Sequence, residues 1–261
     1  MTIQEALRSS GLDSLDAEVI LAHILGVSRE QLIICSQNRI DDDMLQTCTT
    51  HMQRRKRGEP VAYIIGQKEF YGRDFLVTPD VLIPRPATEG LIDLTLHVLK
   101  TGEDDVRKTD TDIVAVAKLF SKVEHVRTVI DIGTGSGCIA ITIALERPDL
   151  RVIATDISEA ALKIATQNAK QLNADIDFRL GNLLEPIQNV SEPFLIVSNP
   201  PYIPSSETLP QDVYEYEPHS ALFSGDDGVN HLQQIVKYAS KHPFCCGICI
   251  ECKTDQCLAL A

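Results

Sequence analysis

The sequence predicts an α/β protein in which a small helical domain and a β-hairpin linker precede a parallel sheet with helices on both faces. Apolar residues recur at helical spacing up to about residue 57, and short apolar segments alternate with turns in residues 59–86. From Thr128 onward the order of strand, glycine turn and helix repeats. Such repetition indicates a sheet that holds ligands outside the carboxyl ends of its strands. We therefore predict domains at residues 1–58, 59–86 and 87–261.

The helical domain is predicted from its spacing and its breaks. Apolar positions cluster at Val19–Leu21 and at Ile24 and Leu25, and the pattern breaks at Gly11 and Gly26. The domain ends in a short basic run, Arg54 to Arg57, before Gly58. Cations suit a helix C-terminus, so we interpret the run as a solvated last turn; a nucleic-acid contact is the alternative.

The linker and the segment after it are predicted from alternation and capping. Strand-like segments lie at Val61–Ile65, Glu69–Gly72, Phe75–Val77 and Val81–Ile83. Thr88 precedes a helical run from Glu89 to about Leu99. Residues 101–127 are polar at first and contain a short helix-like apolar patch at Ile113–Phe120, for which the sequence predicts no function.

Five strands and two helices are predicted in the remaining chain. The strands are Val129–Asp131, Val152–Ala154, Ile176–Leu180, Phe194–Val197 and Ile248–Glu251. The helices are Ile139–Leu145 and Glu159–Leu172.

Composition narrows the possible partners. A formal net charge of −13 argues against a surface that grips phosphate backbones, and so against free nucleic acid as a partner. No apolar run is long enough to span a bilayer, and residues 1–10 lack the features of a signal or transit peptide. We expect a cytoplasmic, monomeric protein with no membrane partner; a mitochondrial location is the alternative.

Five of the eight cysteines lie between Cys245 and Cys257. Cys246, Cys249 and Cys252 have a spacing that zinc sites use, but no second pair of ligands accompanies them. The segment Gly247–Cys252 also fits a buried strand in which cysteine acts as a small apolar residue. We favour the strand, with reduced thiols and no metal.

The glycine-rich loop Asp131–Gly137 lies between a predicted strand and a helix, which is typical of nucleotide-binding turns. The dinucleotide pattern needs its third glycine at position 138, which is a cysteine, and the lysine of a P-loop is missing. The loop instead resembles the first motif of Rossmann-like class I methyltransferases, which bind S-adenosylmethionine. This resemblance implies cofactor contacts from the following residues: Asp131, Gly133, Thr134, Gly135, Ser136 and Gly137.

Two later positions extend the predicted cofactor site. Asp156 ends the second predicted strand, where a carboxylate accepts both ribose hydroxyls; the alternative is an N-cap, for which Ser158 competes. After the third strand, Asn182 and Leu183 stand where many such enzymes contact adenine. Asn182 either accepts a hydrogen bond from the adenine amino group or caps a turn.

The segment Asn199–Tyr202, Asn-Pro-Pro-Tyr, follows a predicted buried strand and predicts a pocket for a planar amino group. Each proline holds the residue before it extended and lacks an N–H, so carbonyl acceptors face outward. The Asn199 side-chain oxygen and the Pro200 carbonyl would accept the two N–H groups of an amide, and Tyr202 would cover its flat face, with Pro201 keeping the corner rigid. We predict Asn199, Pro200 and Tyr202 to be catalytic and Asn199 to reach the cofactor as well.

Nearly the whole chain resembles the release factor glutamine methyltransferase family. The matching motifs are Tyr63–Gly66, Glu69–Gly72, Ile83–Glu89, Asp131–Gly137, Val197–Ile203, Tyr216–Pro218, Ala221–Leu222 and Gly225–Gly228. The resemblance implies methylation of the glutamine side chain in the Gly-Gly-Gln tripeptide of class-1 peptide-chain release factors. It also implies that the helical domain helps to bind the release factor and that Arg85 and Glu89 line the same cleft. The alternative for Arg85 is an ordinary ion pair with Glu89, four residues on, and the two roles are compatible.

The chain departs from this family in four ways. Ala87 stands where an acidic residue is common, Asn182 replaces the usual aspartate, and residues 101–127 form an insertion with little match. The sequence also stops soon after the fifth predicted strand, where the family continues with an antiparallel hairpin, so we expect that sheet edge to be exposed. Two other functions remain open: methylation of a base amino group in DNA or RNA, and cofactor binding with reduced activity. Asp131, Glu217 and Asp226 are the candidates for a general base.

Overall fold

The computed structural model describes residues 1–260, with side chains through residue 257. Its contacts divide the chain into two compact units. The first unit comprises Met1–Gln67 and Leu209–Tyr216, and the second comprises Lys68–Thr208 and the chain from Glu217 onward.

The helices and strands are as follows. The helices are α1 (Ile3–Ser9), α2 (Ser14–Leu25), α3 (Arg29–Ile34), α4 (Asp42–Lys56), α5 (Val61–Ile65), α6 (Glu89–Thr101), α7 (Cys138–Glu146), α8 (Glu159–Leu172), α9 (Gln211–Tyr216) and α10 (Asn230–Ala239). The strands are β1 (Gln67–Phe70), β2 (Arg73–Leu76), β3 (Val106–Lys108), β4 (Ile113–Leu119), β5 (Thr128–Ile132), β6 (Arg151–Asp156), β7 (Asp177–Leu180), β8 (Phe194–Ser198) and β9 (Cys245–Lys253).

The first unit is helical, as the sequence predicts. Thr2 and Ser28 begin α1 and α3 with reciprocal side-chain and backbone hydrogen bonds, and Gly26 ends α2 in a left-handed conformation with φ 64°. The apolar faces of these helices form one core, which includes Ile3, Leu21, Leu32, Ile40 and Cys48. The basic run lies in the last turn of α4, where Arg55 pairs with Asp16 at 2.6 Å.

The linker prediction is partly wrong. Val61–Ile65 is not a strand but the helix α5, which ends at Gly66 with φ 74°. Pro60 at its start and glycine at its end fit a short helix better than a strand, whatever the apolar character of the residues between. The hairpin is formed by β1 and β2 alone, with Tyr71 and Gly72 both at positive φ in the turn.

The second unit has a seven-stranded sheet in the order β3-β4-β9-β8-β5-β6-β7. The five strands from β9 to β7 run parallel, which confirms all five strand predictions and the α/β class. Side chains alternate between two cores: Val129 and Leu195 face one layer of helices, whereas Ile130 and Ile196 face the other.

The patch at Ile113–Phe120 is a strand, not a helix. Its residues Ile113–Leu119 form β4, which pairs antiparallel with the whole of β9, from Ile113 opposite Lys253 to Leu119 opposite Gly247. Three of the seven residues are β-branched, which favours a strand, and β9 offers a pairing partner along the whole segment. Strand β3 then pairs with β4.

This pairing also corrects the expectation of an exposed edge. The side of β9 that faces away from β8 is covered by β4, because residues 101–127 fold back onto the sheet. This segment supplies backbone hydrogen bonds that β9 would otherwise take from water. Cys249 and Cys252 are fully buried in this strand.

None of the described helices combines the length and the apolar character that crossing a membrane requires.

Candidate functional site

The site begins where β5 ends, at the glycine turn. Gly133 and Gly135 have φ values of 74° and 55°, and space is open on the side where a side chain would stand. Both glycines line a cavity of about 320 Å³ at the carboxyl ends of the strands. The same cavity is lined by further predicted site residues, namely Asp156, Asn182, Leu183, Asn199 and Pro201.

Three other residues of the turn support it from behind. The Thr134 hydroxyl donates to Asp131 at 2.6 Å, and the Ser136 carbonyl accepts from the Asn168 side chain at 2.8 Å. Gly137 has φ 84°, and a Cβ atom there would lie 2.9 Å from Ile141 Cδ1. Thr134, Ser136 and Gly137 therefore shape the turn, whereas Gly133 and Gly135 present bare backbone to the cavity.

This difference predicts that one glycine substitution mainly lowers stability and the other mainly weakens cofactor binding. Gly137→Ala should lower the free energy of unfolding by about 2–4 kcal/mol, since a left-handed alanine is strained and its methyl group overlaps neighbours. Gly133→Ala should cost only about 1–2 kcal/mol of strain but should weaken cofactor binding, because its methyl group enters the cavity. Urea unfolding and calorimetric titration of both variants test this. If the two variants lost the same stability and the same cofactor affinity, the different roles of Gly133 and Gly137 would be contradicted.

Asp131 is a fully buried carboxylate beneath the turn. Its Oδ2 accepts from the Thr134 hydroxyl and from the Ala140 N–H at 3.2 Å, whereas Oδ1 has no partner among the described residues. Burial raises the pKa of Asp131 to about 7, against the opposing effect of these hydrogen bonds. An unpartnered buried acceptor next to the glycine turn fits a bound group that carries N–H donors.

The raised pKa predicts a pH-dependent stability. The folded protein holds the Asp131 proton more tightly than the unfolded chain does, so this residue should lower stability as pH rises from about 4 to about 7. Replacing it by Asn should remove this contribution. From about pH 5 to pH 8, the free energy of unfolding of the wild type should fall by on the order of 2 kcal/mol more than that of Asp131→Asn. Urea melts at both pH values provide the measurement, and parallel losses would contradict it.

Asp156 lies at the end of β6 and lines the cavity. Its Oδ2 accepts from the Gly135 N–H at 2.8 Å and its Oδ1 from the Ser158 N–H at 2.9 Å. Burial raises its pKa. Ser158, not Asp156, is the N-cap of α8, since its hydroxyl accepts from Ala161. Each carboxylate oxygen keeps lone pairs for a further donor.

Asn182 and Leu183 form another part of the cavity wall. Leu183 has φ 46°, a conformation that costs a non-glycine residue on the order of 1–3 kcal/mol and that occurs most often at functional sites. Its carbonyl accepts from the Thr155 hydroxyl at 3.2 Å, which holds the strained turn against β6.

Asn199 is the first residue after β8 and lines the cavity together with the glycine turn. Its Nδ2 donates to the Thr88 hydroxyl at 3.0 Å. Ser198, just before it, donates to the Ile132 carbonyl at 2.7 Å and so ties the end of β8 to the end of β5. Pro200 is buried. The Tyr202 hydroxyl donates to Glu251 Oε1 at 3.1 Å.

Glu251 is a functional candidate that the sequence reasoning missed. It is fully buried in β9, and burial raises its pKa, whereas Thr88, Tyr202, Asn199 and the charge of Arg85 oppose this shift. Glu251, Tyr202 and Arg85 line a second cavity of about 510 Å³. A carboxylate inside an otherwise apolar strand was the signal in the sequence.

The predicted pairing of Arg85 with Glu89 is wrong. Arg85 Nη2 instead lies 2.5 Å from Oε1 of Glu217, which is buried and also accepts from the Ile83 N–H. Glu89 accepts from the Tyr71 N–H at 2.9 Å and so fixes the turn of the hairpin. The Arg85–Glu217 pair spans more than a hundred positions in sequence, whereas spacing rules favour partners four apart.

Two of the three candidate bases accept hydrogen bonds. Asp131 and Glu217 each accept from one backbone N–H and one side-chain donor, whereas Asp226 is exposed. His231 lines the first cavity, and its Nδ1 lies 2.7 Å from the Ser224 hydroxyl. No sequence pattern pointed to His231.

The described residues contain no group of three side chains that could hold a metal ion.

The chain is similar to two family models and to many characterised proteins. Residues 2–66 match a family described as the PrmC N-terminal domain, and residues 107–215 match one described as the methyltransferase small domain. A release factor glutamine methyltransferase from Koribacter versatilis is 39% identical over 230 residues, which cover 87% of this chain and 74% of that protein. Enzymes of the same name from Bacillus subtilis (39% identity; 90% of this chain, 79% of the relative) and Neisseria gonorrhoeae (38%; 92% and 80%) are similar over comparable lengths.

Proposed function

The chain belongs to the release factor glutamine methyltransferase family, and from this premise we propose that it methylates the side-chain amide nitrogen of the glutamine in the Gly-Gly-Gln motif of class-1 peptide-chain release factors. It is an S-adenosylmethionine-dependent methyltransferase. The observation that carries the proposal is the position of Asn199, which lines the cavity of the glycine turn while its own amide nitrogen is held by Thr88.

The residues around the first cavity fit the cofactor. Gly133 and Gly135 allow close approach, and Asp156 keeps lone pairs for ribose hydroxyls. Asp131 lies beneath the turn, outside the lining of this cavity, and we assign its unpartnered buried oxygen to the ammonium group of the cofactor. Asn182 and Leu183 complete the wall on the side where we place the adenine. When bound, S-adenosylmethionine supplies an electrophilic methyl group on a sulfonium centre.

The acceptor chemistry then follows from Asn199 and Pro200. An amide nitrogen is a weak nucleophile, because its lone pair is delocalised into the carbonyl. Two acceptors that bind its N–H groups hold the nitrogen with its lone pair toward the methyl donor, and both hydrogen bonds strengthen as positive charge develops. Pro201 lines the same cavity as Asn199, whereas Tyr202 lines the second cavity, where its hydroxyl donates to Glu251.

Positioning carries most of the rate in this mechanism. The new N–C bond forms as the sulfonium C–S bond breaks, and one amide proton leaves the nitrogen to solvent. Asp131 is fully buried beneath the turn, and both oxygens of Glu217 accept hydrogen bonds, so we assign neither as a general base.

We assign the parts of the chain as follows. Residues 1–58 recognise the release factor, residues 59–86 link, and residues 87–261 transfer the methyl group, with Arg85 and Glu89 at the substrate cleft. A net charge of −13 supports a protein partner over free nucleic acid or a membrane. We place the enzyme in the cytoplasm as a monomer.

The test is methyl transfer to an intact release factor. The full chain is incubated with labelled S-adenosylmethionine and a purified class-1 release factor, and peptides are analysed by mass spectrometry. We expect one added methyl group on the glutamine of Gly-Gly-Gln. A release factor in which this glutamine is replaced by glutamate, which has no side-chain N–H, is the matched control.

Two outcomes would overturn the proposal. Label in added RNA but not in the release factor would favour a base amino-methyltransferase. Cofactor binding by calorimetry without transfer to either acceptor would favour a binding protein.

A further inference from the structure

The orientation of the Asn199 amide decides whether its oxygen or its nitrogen meets a substrate. The two atoms are similar in size, so packing does not distinguish them, and only hydrogen-bond partners do. Methyl transfer to an amide requires the oxygen of Asn199 to be available, since both N–H groups of the substrate are donors.

Glu251 lies beside Asn199 for reasons of backbone register. Strands β8 and β9 are parallel neighbours, and Ser198 pairs with Ile250. Asn199 and Glu251 are the next residues on the two strands, so their side chains lie at the same level of the sheet. On the opposite side of β9, Ala115 of β4 pairs with Glu251 and helps to bury it.

Thr88 connects the two side chains. Asn199 Nδ2 lies 3.0 Å from Thr88 Oγ1, and Thr88 and Asn199 both stand close enough to the Glu251 carboxylate to lower its pKa against the effect of burial. Glu251 Oε1 accepts from Tyr202, and its Oε2 has no partner of full hydrogen-bond geometry in the described part of the chain. All three neighbours thus surround one buried acceptor.

The observed hydrogen bonds favour one arrangement. Thr88 Oγ1 accepts from Asn199 Nδ2, so the single Thr88 proton can turn toward Glu251 Oε2, which has no other partner among the described residues. A flipped Asn199 would place its oxygen beside the oxygens of Thr88 and Glu251 and would remove the hydrogen bond from Asn199 Nδ2 to Thr88, which is costly in a buried site.

We propose that Glu251 is a positioning residue: through Thr88 it keeps the Asn199 side-chain oxygen turned to the substrate amide, and through the Tyr202 hydroxyl it holds the aromatic ring of the same motif. This rests on the proposed function for its consequence in catalysis, but the orientation itself is a property of the enzyme alone. Arg85 is the nearby cation, and its own ion pair is with Glu217.

The test compares Glu251→Gln, Thr88→Val and the double variant Asn199→Asp/Glu251→Gln. The introduced glutamine is a donor as well as an acceptor, so it no longer enforces one orientation. We expect Glu251→Gln to lower kcat by about 10- to 100-fold with release factor as substrate, as expected for a misplaced catalytic group, while KM and the cofactor Kd change less than about threefold. Thr88→Val should have a similar effect.

The double variant separates positioning from structure. An aspartate at position 199 has two acceptor oxygens and cannot be flipped into a wrong orientation. The double variant should therefore have a kcat at least about tenfold higher than that of Glu251→Gln. Wild-type kcat in Glu251→Gln would overturn the proposal. The proposal would also be overturned if the double variant did not restore kcat and if the loss of kcat paralleled a fall in melting temperature. Glu251 would then have only a structural role.

A second measurement needs no substrate. The measurement is hydrogen exchange of the assigned Asn199 side-chain NH₂ signal in nitrogen-15 NMR spectra of the full chain. We expect this NH₂ group to be protected in the wild type and to exchange at least about tenfold faster in Glu251→Gln and Thr88→Val. Equal exchange in all three proteins would overturn the inference. Protection together with no transfer to release factor would support this inference and contradict the proposed function.

Discussion

Replacing Asn199 by alanine should lower kcat by about 10²- to 10³-fold, the loss expected when one transition-state hydrogen-bond partner is removed. The residue lines the cofactor cavity, follows the rigid end of β8, and has its amide nitrogen already bound to Thr88. Its oxygen is therefore the group that we assign to the substrate N–H. Because this hydrogen bond strengthens in the transition state, the loss should fall on kcat more than on KM.

The measurement is steady-state methyl transfer to an intact release factor, with cofactor affinity determined by calorimetry. The cofactor Kd should change less than about threefold, since the glycine turn and Asp156 carry most of the cofactor contacts in this assignment. Asn189→Ala is a matched control, because it removes the same side chain at an exposed position. A variant of Asn199 that retains near-normal kcat would remove this residue from the mechanism.

Replacing Asp156 by alanine should weaken S-adenosylmethionine binding by about 100-fold. Two hydrogen bonds from ribose hydroxyls to a carboxylate are worth about 1.5–3 kcal/mol each, and part of this is offset by water in the variant. The substitution also leaves the N–H groups of Gly135 and Ser158 without their acceptor, since they donate to the Asp156 carboxylate at 2.8 Å and 2.9 Å. The glycine turn should therefore lose order as well as a ligand contact.

Two further variants sharpen this prediction. Asp156→Asn retains one acceptor oxygen and should weaken binding by an intermediate factor, about tenfold. Asp175→Ala removes an exposed carboxylate just beyond α8 and should leave the Kd unchanged. Calorimetric titration with S-adenosylmethionine measures all three. Wild-type affinity in Asp156→Ala would show that the ribose lies elsewhere.

The parallel sheet was predictable because local and global signals agree there. Strands β5, β8 and β9 are mainly apolar and are buried on both faces, and turn residues follow β5 and β8. Helix α8 has the predicted bounds because Ser158 caps its start and Asn173, in a left-handed conformation, ends it. The glycine turn was predictable for the same reason, since its backbone requires glycine at positive φ.

The errors occur where partners distant in sequence decide the structure. Residues Ile113–Leu119 form a strand because β9 offers an edge more than a hundred positions later. Arg85 pairs with Glu217 rather than with its helical neighbour Glu89 for a similar reason. Neither contact leaves a trace in local spacing, because spacing reports only on neighbours within one element.

Several predicted site residues lie together, whereas their roles stay predictions. Gly133, Gly135, Asp156, Asn182, Leu183, Asn199 and Pro201 all line one cavity. Thr134, Ser136 and Gly137 prove to be supports of the turn, and Glu251 was found only from its burial beside Tyr202. Motif reasoning finds residues that precede or follow a strand, but it does not find a charged residue within one.

The central claim is that an acceptor corner at Asn199 and Pro200 meets the cofactor of the glycine turn. A crystal structure of the enzyme with S-adenosylhomocysteine and a peptide containing Gly-Gly-Gln tests it most directly. We predict the glutamine side-chain nitrogen within about 3.2 Å of both Asn199 Oδ1 and the Pro200 carbonyl, and close to the cofactor sulfur. A cofactor bound away from Gly133 and Gly135, or a carboxamide that contacts neither oxygen, would contradict the account.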